Sequence, residues 1–218
     1  MSRNRFRRIY RALFTAYGPQ SCWPTKTPFE MMVSAILTQN TAWANVEKAL
    51  ACFPELTPHF ILETPEDQLA EIIRPSGFFH QKAGRLKTLS RWYDTYQCEI
   101  TLVHRRRGSA LRRELLALNG MGRETADSIL LYAARKPFFV VDAYTRRIFT
   151  RLGFALPEDY DGTRALFEAA LPRDVELFNE YHALIVRHAK EHCGVKPQCD
   201  GCPLAEECAA ACNNPAGN

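Results

Sequence analysis

Long apolar runs are missing from this sequence of 218 residues. A membrane-spanning helix needs roughly 20 consecutive apolar residues, and no segment approaches that length, so we expect no membrane role. The N-terminal segment MSRNRFRRIYRALF contains arginines but not the apolar stretch of a secretory signal. We therefore expect a cytoplasmic protein, associated with the nucleoid if it binds DNA. The sequence also lacks the alternation of apolar and polar residues that is typical of β-strands. It contains no internal repeats.

The sequence does contain apolar residues at helical spacing along most of its length. With 46% hydrophobic and 24% charged residues, its composition is that of an ordinary globular protein. The periodicity predicts an all-α fold, in which Thr64 caps the N-terminus of one helix. After two helices near residues 29–37 and 46–50, the predicted helices cover residues 65–73, 82–96, 110–118, 124–134, 143–152, 163–170 and 175–192.

The net charge of +4 is modest, but its distribution is uneven. Residues 104–113, HRRRGSALRR, contain five arginines and no acidic residue, and further arginines crowd the N-terminus. Such clusters are typical of a surface that binds nucleic acid, and equally of solvated helix faces.

A turn with two glycines, Gly120 and Gly122, joins two predicted helices at residues 118–122. Glycine permits a positive φ and removes side-chain bulk where the backbone must approach a ligand closely. The N–H groups at the start of the second helix form a site for an anion such as a DNA phosphate. The turn is therefore a helix-hairpin-helix candidate, and a plain αα-hairpin is the alternative.

Eight cysteines are present, and half of them lie within residues 193–208. In a reducing compartment this clustering favours a metal or cluster site over disulfides. Four thiolates on a short loop can hold either Zn²⁺ or a [4Fe–4S] cluster. The spacing C-x5-C-x2-C-x5-C identifies the ligands as Cys193, Cys199, Cys202 and Cys208, with Cys212 as a substitute.

Residues 115–126, LLALNGMGRETA, are followed by Val140-Val141-Asp142 and by Tyr144-x-Arg146-Arg147. Together these segments resemble the helix-hairpin-helix DNA glycosylase superfamily, of which endonuclease III is the type member. The resemblance implies a base-excision repair enzyme that flips a damaged nucleotide out of double-stranded DNA, with Asp142 as its catalytic aspartate. A carboxylate suits this reaction because cleavage of an N-glycosidic bond builds positive charge on the sugar. The alternative is that Asp142 only caps helix 143–152.

Bifunctional members of the superfamily carry a lysine in the second hairpin helix, which forms a Schiff base with the sugar. Glu124 occupies that position here, and a carboxylate cannot form an imine. The resemblance thus implies a monofunctional glycosylase that removes the base without cleaving the strand. It also implies DNA contacts by Gly120, Gly122, Arg123 and Tyr144. A bifunctional glycosylase and AP lyase that acts on oxidised pyrimidines through another amine, such as Lys82, is the rival.

The resemblance further implies a [4Fe–4S] cluster on the cysteine loop, although the first gap is one residue shorter than is usual in endonuclease III. Asn40 aligns with a polar residue that fills the gap left by the flipped nucleotide, and Gln39 is adjacent. Phe78 lies in a segment similar to the family's second intercalating loop, where an apolar side chain enters between base steps. Burial in the core is the alternative for these side chains.

Several segments look more like the 3-methyladenine DNA glycosylase branch than like endonuclease III itself. The resemblance implies a base pocket in which Trp23 and Trp43 sandwich the base, with Glu124 nearby. An alkylated purine carries positive charge, which an indole face attracts. One member of that branch has a lysine in its base pocket, at the position where this chain has Leu184.

The resemblance implies two helical lobes. One is a six-helix barrel of residues 23–135, and the other combines residues 1–22 with residues 136–218 and carries the cluster. The cleft between them is expected to place Asp142 opposite the pocket, in a monomer bound to DNA. A protein that binds damaged DNA without catalysis is the rival from a different functional class.

Overall fold

The computed structural model describes residues 3–20 and 25–212, and the side chains of all of these except Arg3 and Cys212. Within these ranges the chain is helical and contains no β-strand, which confirms the all-α prediction. Short 3₁₀ helices lie at Arg74–Ser76 and Ala205–Glu207, and a π-helical turn lies at Ile129–Ala133. The α-helices are α1 Arg3–Tyr17, α2 Pro28–Leu37, α3 Trp43–Ala51, α4 Pro58–Glu63, α5 Glu66–Ile72, α6 Phe79–Asp94, α7 Ile100–Arg105, α8 Gly108–Leu116, α9 Arg123–Ser128, α10 Ala143–Arg151, α11 Tyr160–Ala170, α12 Val175–Glu191 and α13 Ala209–Cys212.

The chain forms two compact units. The central unit is Pro24–Lys136 and contains α2 to α9 with the π-helical turn. The terminal unit combines Met1–Trp23 with Pro137–Asn218, so the central unit is inserted after α1. No helix in residues 3–20 and 25–212 is long and apolar enough to cross a membrane.

Helix α2 lies at the core of the central unit. Every residue of its PFEMMVSAIL sequence except Pro28 and Glu30 is buried, as expected for a helix that is apolar on nearly all faces. Its N-terminus is fixed by Thr27, whose side chain accepts a hydrogen bond from the Glu30 N–H at 3.1 Å, and by proline at the first helical position. The helix packs against α6 and the π-helical turn.

One helix boundary differs from the prediction. Thr64 does not cap α5, whose N-cap is Pro65 with no side-chain hydrogen bond. Instead Thr64 ends the preceding helix α4, and its hydroxyl donates to the Phe60 carbonyl at 2.7 Å. The six-residue helix α4 was not predicted, because six residues give too short a pattern for helical periodicity to be recognised.

Aromatic side chains form the core of the terminal unit. The Phe6 ring of α1 stacks on Phe149 with centroids 5.6 Å apart and meets Phe167 edge-on at 4.9 Å. The Phe167 ring in turn stacks on Phe139 at 4.3 Å. The buried Tyr181 hydroxyl donates to the Phe6 carbonyl at 2.9 Å, which leaves no unsatisfied polar atom on that side chain. Helix α1 is therefore an integral part of this core.

Candidate active site

The predicted hairpin is formed by α8, a short turn and α9. The turn closes through a hydrogen bond from the Met121 N–H to the Leu118 carbonyl at 3.1 Å. Gly120 has a φ of +77°, which glycine adopts without strain. Gly122 is the N-cap of α9 at a φ of −75° and has no side chain to accept a hydrogen bond from the first turn. The first N–H groups of α9 therefore have no side-chain cap, as an anion site requires.

The two glycines of the hairpin have different surroundings. A Cβ atom on Gly120 would lie 2.2 Å from the Arg85 Nε, so a protein side chain already occupies that space. A Cβ atom on Gly122 would meet nothing within 4 Å. The lack of a side chain at position 120 thus accommodates Arg85, whereas position 122 is open to solvent.

Gln39 is fastened to the hairpin. Its amide nitrogen donates to the Gly120 carbonyl at 3.2 Å and to the Thr125 hydroxyl at 3.0 Å. Its amide oxygen accepts a hydrogen bond from Arg85 at 2.6 Å. These contacts hold the segment after α2 against the hairpin, and they give Gln39 a role that the sequence did not indicate.

Asn40 and Phe78 lie at exposed positions of the central unit. Phe78 is 61% exposed, which decides against burial in the core. Asn40 is also exposed. Both residues have a left-handed backbone, with φ of 53° at Asn40 and 46° at Phe78. Non-glycine residues in this region carry backbone strain, which is concentrated in proteins at binding and catalytic sites.

The remaining predicted site residues that the structure describes lie on α3, α9 and α10. Glu124 and Arg123 are exposed in the first turn of α9. Trp43 is half-buried at the start of α3. Tyr144 is half-buried in α10, with the guanidinium carbon of Arg147 5.1 Å from its ring centroid. Trp23 lies outside the described residues.

Asp142 is the N-cap of α10, and its second carboxylate oxygen faces another helix. Its Oδ1 accepts hydrogen bonds from the Thr145 N–H and the Thr145 hydroxyl, both at 2.7 Å. Its Oδ2 lies 3.5 Å from the His182 Nε2, and only 13% of its side chain is exposed. One oxygen thus fixes the helix end, while the other faces an imidazole from α12.

The charge of Asp142 is stabilised by these neighbours. Burial opposes ionisation of the carboxyl group, but the neighbouring His182 imidazole and the two hydrogen bonds from Thr145 outweigh it. The pKa of Asp142 therefore lies below its usual value, and the group is a carboxylate at neutral pH. The sequence could not reveal His182 as a partner, because helical periodicity says nothing about which residues of distant helices meet.

The four predicted cysteine ligands line one cavity of about 270 Å³ in the terminal unit, together with His188 and Leu204. Burial raises the pKa of the Cys202 thiol. Its Sγ lies 3.9 Å from the His188 Nε2. Among the described residues, no three His, Cys, Asp or Glu side chains are close enough together to hold a single metal ion.

Two arginines of α10 hold the cysteine loop in place. Arg147 donates to the Cys193 carbonyl at 2.7 Å. Arg151 donates to the Gly194 and Val195 carbonyls at 2.6 and 2.8 Å and to the Cys193 Sγ at 3.2 Å. Helix α10 therefore carries Asp142 at its first end and supports the cysteine loop at its last.

Residues 33–173 match the family described as the HhH-GPD superfamily of base excision DNA repair proteins. The chain belongs to this superfamily. It is 46% identical over 217 residues to a Methanocaldococcus jannaschii protein named "Putative DNA repair glycosylase MJ1434", with 95% of this chain and 99% of that protein covered. It is 32% identical over 185 residues to endonuclease III of Thermotoga maritima, with 83% and 79% covered.

Solved structures of the superfamily share this fold. The crystal structure of H. pylori 3-methyladenine DNA glycosylase (MagIII), bound to 1,N6-ethenoadenine, superposes with a TM-score of 0.75 at 28% identity. The match covers 88% of this chain and 98% of that one. The protein is thus a DNA repair glycosylase of the HhH-GPD superfamily. The family match includes the hairpin and Asp142, whereas the cysteine loop lies beyond residue 173.

Proposed function

We propose that the protein is a monofunctional DNA glycosylase, which hydrolyses the N-glycosidic bond of a damaged base flipped out of double-stranded DNA. Glu124 is the observation that carries this proposal. It is exposed on the second hairpin helix, at the position where bifunctional relatives use a lysine amine. A carboxylate at that position cannot form the Schiff base that strand cleavage requires.

Lys82 supports the same conclusion, because it is a poor substitute for the missing amine. Its side chain is fully buried, and its Nζ donates to two backbone carbonyls. Lys87 is likewise buried and bound to two carbonyls. A Schiff base requires an amine that can reach the sugar, and neither of these amines reaches the surface.

Asp142 supplies the negative charge for base removal. When the bond from the sugar to the base nitrogen breaks, the base leaves with the bonding electrons and positive charge develops on the deoxyribose. Water then adds at the same carbon and loses a proton to the solvent. A fixed carboxylate lowers the barrier by stabilising that charge. Because the pKa of Asp142 is lowered, the carboxylate is a weak base, which favours this electrostatic role over removal of a proton from water.

Asn40 and Phe78 are the residues proposed to open the duplex. Their exposure and left-handed backbones fit side chains that enter the base stack, with the polar group filling the gap and the ring separating base steps. The hairpin N–H groups near Gly122 and the side chain of Arg123 are proposed to bind phosphates, which position the enzyme without reading sequence.

We propose an alkylated purine as the substrate class. A cationic base is attracted by an indole face, and the half-buried Trp43 offers one. A cationic base also leaves more readily than a neutral one, so little acid catalysis is needed. The similarity to a 3-methyladenine DNA glycosylase at 28% identity supports the same class.

We propose that the cysteine loop holds a [4Fe–4S] cluster through Cys193, Cys199, Cys202 and Cys208. The four cysteines line one cavity of about 270 Å³ in the terminal unit. Four thiolates are the usual ligands of such a cluster. When bound, the cluster would cross-link the loop. Iron rather than zinc in the purified protein, with visible absorbance that bleaches on reduction, is the expected result.

Release assays on purified protein test the function. Duplexes containing 3-methyladenine, thymine glycol, uracil or a thymine mismatch are incubated with enzyme, and free base is measured separately from strand cleavage. We expect base release, with strand cleavage only after alkali, and no trapping by borohydride. Strand cleavage without alkali together with trapping would overturn the monofunctional proposal. Preferential release of thymine glycol, uracil or mismatched thymine would overturn the substrate class alone.

A further inference from the structure

Helix α6 contains two buried lysines, Lys82 at 0% exposure and Lys87 at 8%. Removing an ammonium group from water is costly unless polar partners replace the water. Each of these lysines therefore needs a structural or functional reason to be buried. Each of the two ammonium groups donates to two backbone carbonyls, but the carbonyls lie at different helix ends.

The Lys82 ammonium connects the ends of two helices. Its Nζ donates to the Leu37 carbonyl at 2.8 Å and to the Ser76 carbonyl at 2.7 Å. Leu37 is the last residue of α2, and Ser76 is the last residue of the 3₁₀ helix Arg74–Ser76. Carbonyls at helix ends lack partners within the helix, so the ammonium satisfies both of them. At the end of α2 the ammonium also lies at the negative end of the helix dipole.

A loop that carries an exposed residue begins immediately after each of these helix ends. The segment after Leu37 leads to Asn40, and the segment after Ser76 leads through Gly77, at a φ of +66°, to Phe78. The bases of both loops are thus tied to the same buried ammonium. The side chain of Lys82 itself has no exposed surface with which to contact DNA.

We propose that Lys82 is a positioning residue for duplex opening, which holds the two loops so that Asn40 and Phe78 enter the base stack together. This inference rests on the proposed function of the two loops. The residue acts through the loop bases and takes no part in bond cleavage. Burial and the nearby charge of Arg85 lower the pKa of Lys82 to about 8, as expected for an ammonium enclosed by protein.

Lys87 provides a matched control on the same helix. Its Nζ donates to the Ile61 and Leu62 carbonyls, both at 3.0 Å, near the end of α4. The chain after α4 passes through Thr64 and Pro65 directly into α5. Lys87 therefore makes the same kind of contact as Lys82, but at a helix end that leads to neither of the two loops.

The test compares Lys82→Met with Lys87→Met. A fluorescent 2-aminopurine next to the lesion reports base unstacking on binding, and single-turnover kinetics report base release. Both variants are expected to lose thermal stability. Lys82→Met should lose on the order of tenfold to a hundredfold in unstacking and release, because small misplacements are costly, whereas Lys87→Met should keep both. Equal losses in the two variants would show that the effect is only structural.

A double-mutant cycle with Phe78→Ala separates positioning from stability. If Lys82 acts through the loops, Phe78→Ala should cost less unstacking in the Lys82→Met background than in the native chain. Additive effects would overturn the proposal. Should Lys82→Met fail to fold, Lys82→Gln is measured, and native unstacking in that variant would also overturn it. If the native protein releases no base, the proposed function fails, but the unstacking signal still tests Lys82.

Discussion

Replacement of Asp142 by asparagine separates its two roles. The asparagine carbonyl can still accept the two 2.7 Å hydrogen bonds from Thr145, and asparagine is as good an N-cap as aspartate. What the replacement removes is the negative charge beside His182. The two hydrogen bonds lose their charge assistance, so we expect the free energy of unfolding to fall by about 1–2 kcal/mol.

The catalytic loss should be larger. Removal of one preorganised electrostatic group costs roughly 10²- to 10³-fold in rate, or about 3–4 kcal/mol of transition-state stabilisation. Single-turnover base release by Asp142→Asn is therefore expected to fall by about that factor, while its affinity for the lesion duplex stays at the native value. The lowered pKa keeps the Asp142 carboxylate of the native protein charged. Protonation of Asp142 should therefore not reduce the rate of base release between about pH 8 and about pH 5.

Asp174→Asn is the matched control. Asp174 caps α12 through a single 2.7 Å hydrogen bond from the Leu177 N–H and is exposed. Its replacement changes the same chemical group at a helix end, and base release should stay native. Native release by Asp142→Asn would refute the catalytic assignment and leave Asp142 as a cap alone. An equal loss in both variants would assign the effect to helix capping.

Glu124→Lys places an amine on the second hairpin helix, and a borohydride-trapped adduct with lesion DNA is expected where the native chain gives none. Gly120→Ala should lose about 1–2 kcal/mol of stability through its left-handed backbone, with added strain from the occupied space, whereas Gly122→Ala should lose only about 0.5–1 kcal/mol, because alanine is a poorer N-cap than glycine. Thermal unfolding measures both losses, and equal losses would contradict the different backbone requirements of Gly120 and Gly122. Burial lowers the pKa of Lys82 from 10.5 to about 8, so between these values the unfolded chain binds more protons. The stability of the native chain relative to Lys82→Met should therefore rise with pH over that range, by on the order of 3 kcal/mol, and a fall would refute the burial argument.

Much of the fold could be predicted because helices leave a local pattern. The predicted helix at residues 175–192 matches Val175–Glu191, and the one at 143–152 matches Ala143–Arg151. The aspartates before both helices are the kind of residue that begins a helix, and the structure places each as an N-cap. The short helices α4 and α7, of six residues each, span too few turns to show the pattern.

The candidate site could be proposed from the sequence only where a single residue or a spacing carries the chemistry. Glu124 and the cysteine spacing can be recognised in the sequence itself. The contact of Asp142 with His182, the attachment of Gln39 to the hairpin and the burial of Lys82 depend on packing between helices. Glutamine and lysine are ordinarily surface residues, so nothing in their local sequence predicts that they bind backbone carbonyls inside a unit.

The insertion of the central unit after α1 has a consequence for folding during synthesis. Residues 24–136 are complete before α10 has been made, so the central unit can form its core while the chain is still growing. The rings that surround Phe6 arrive much later, at Phe149 and Phe167. Helix α1 is made before the central unit, but its aromatic neighbours follow that unit in the chain, and these long-range contacts should make folding of the terminal unit the slower step.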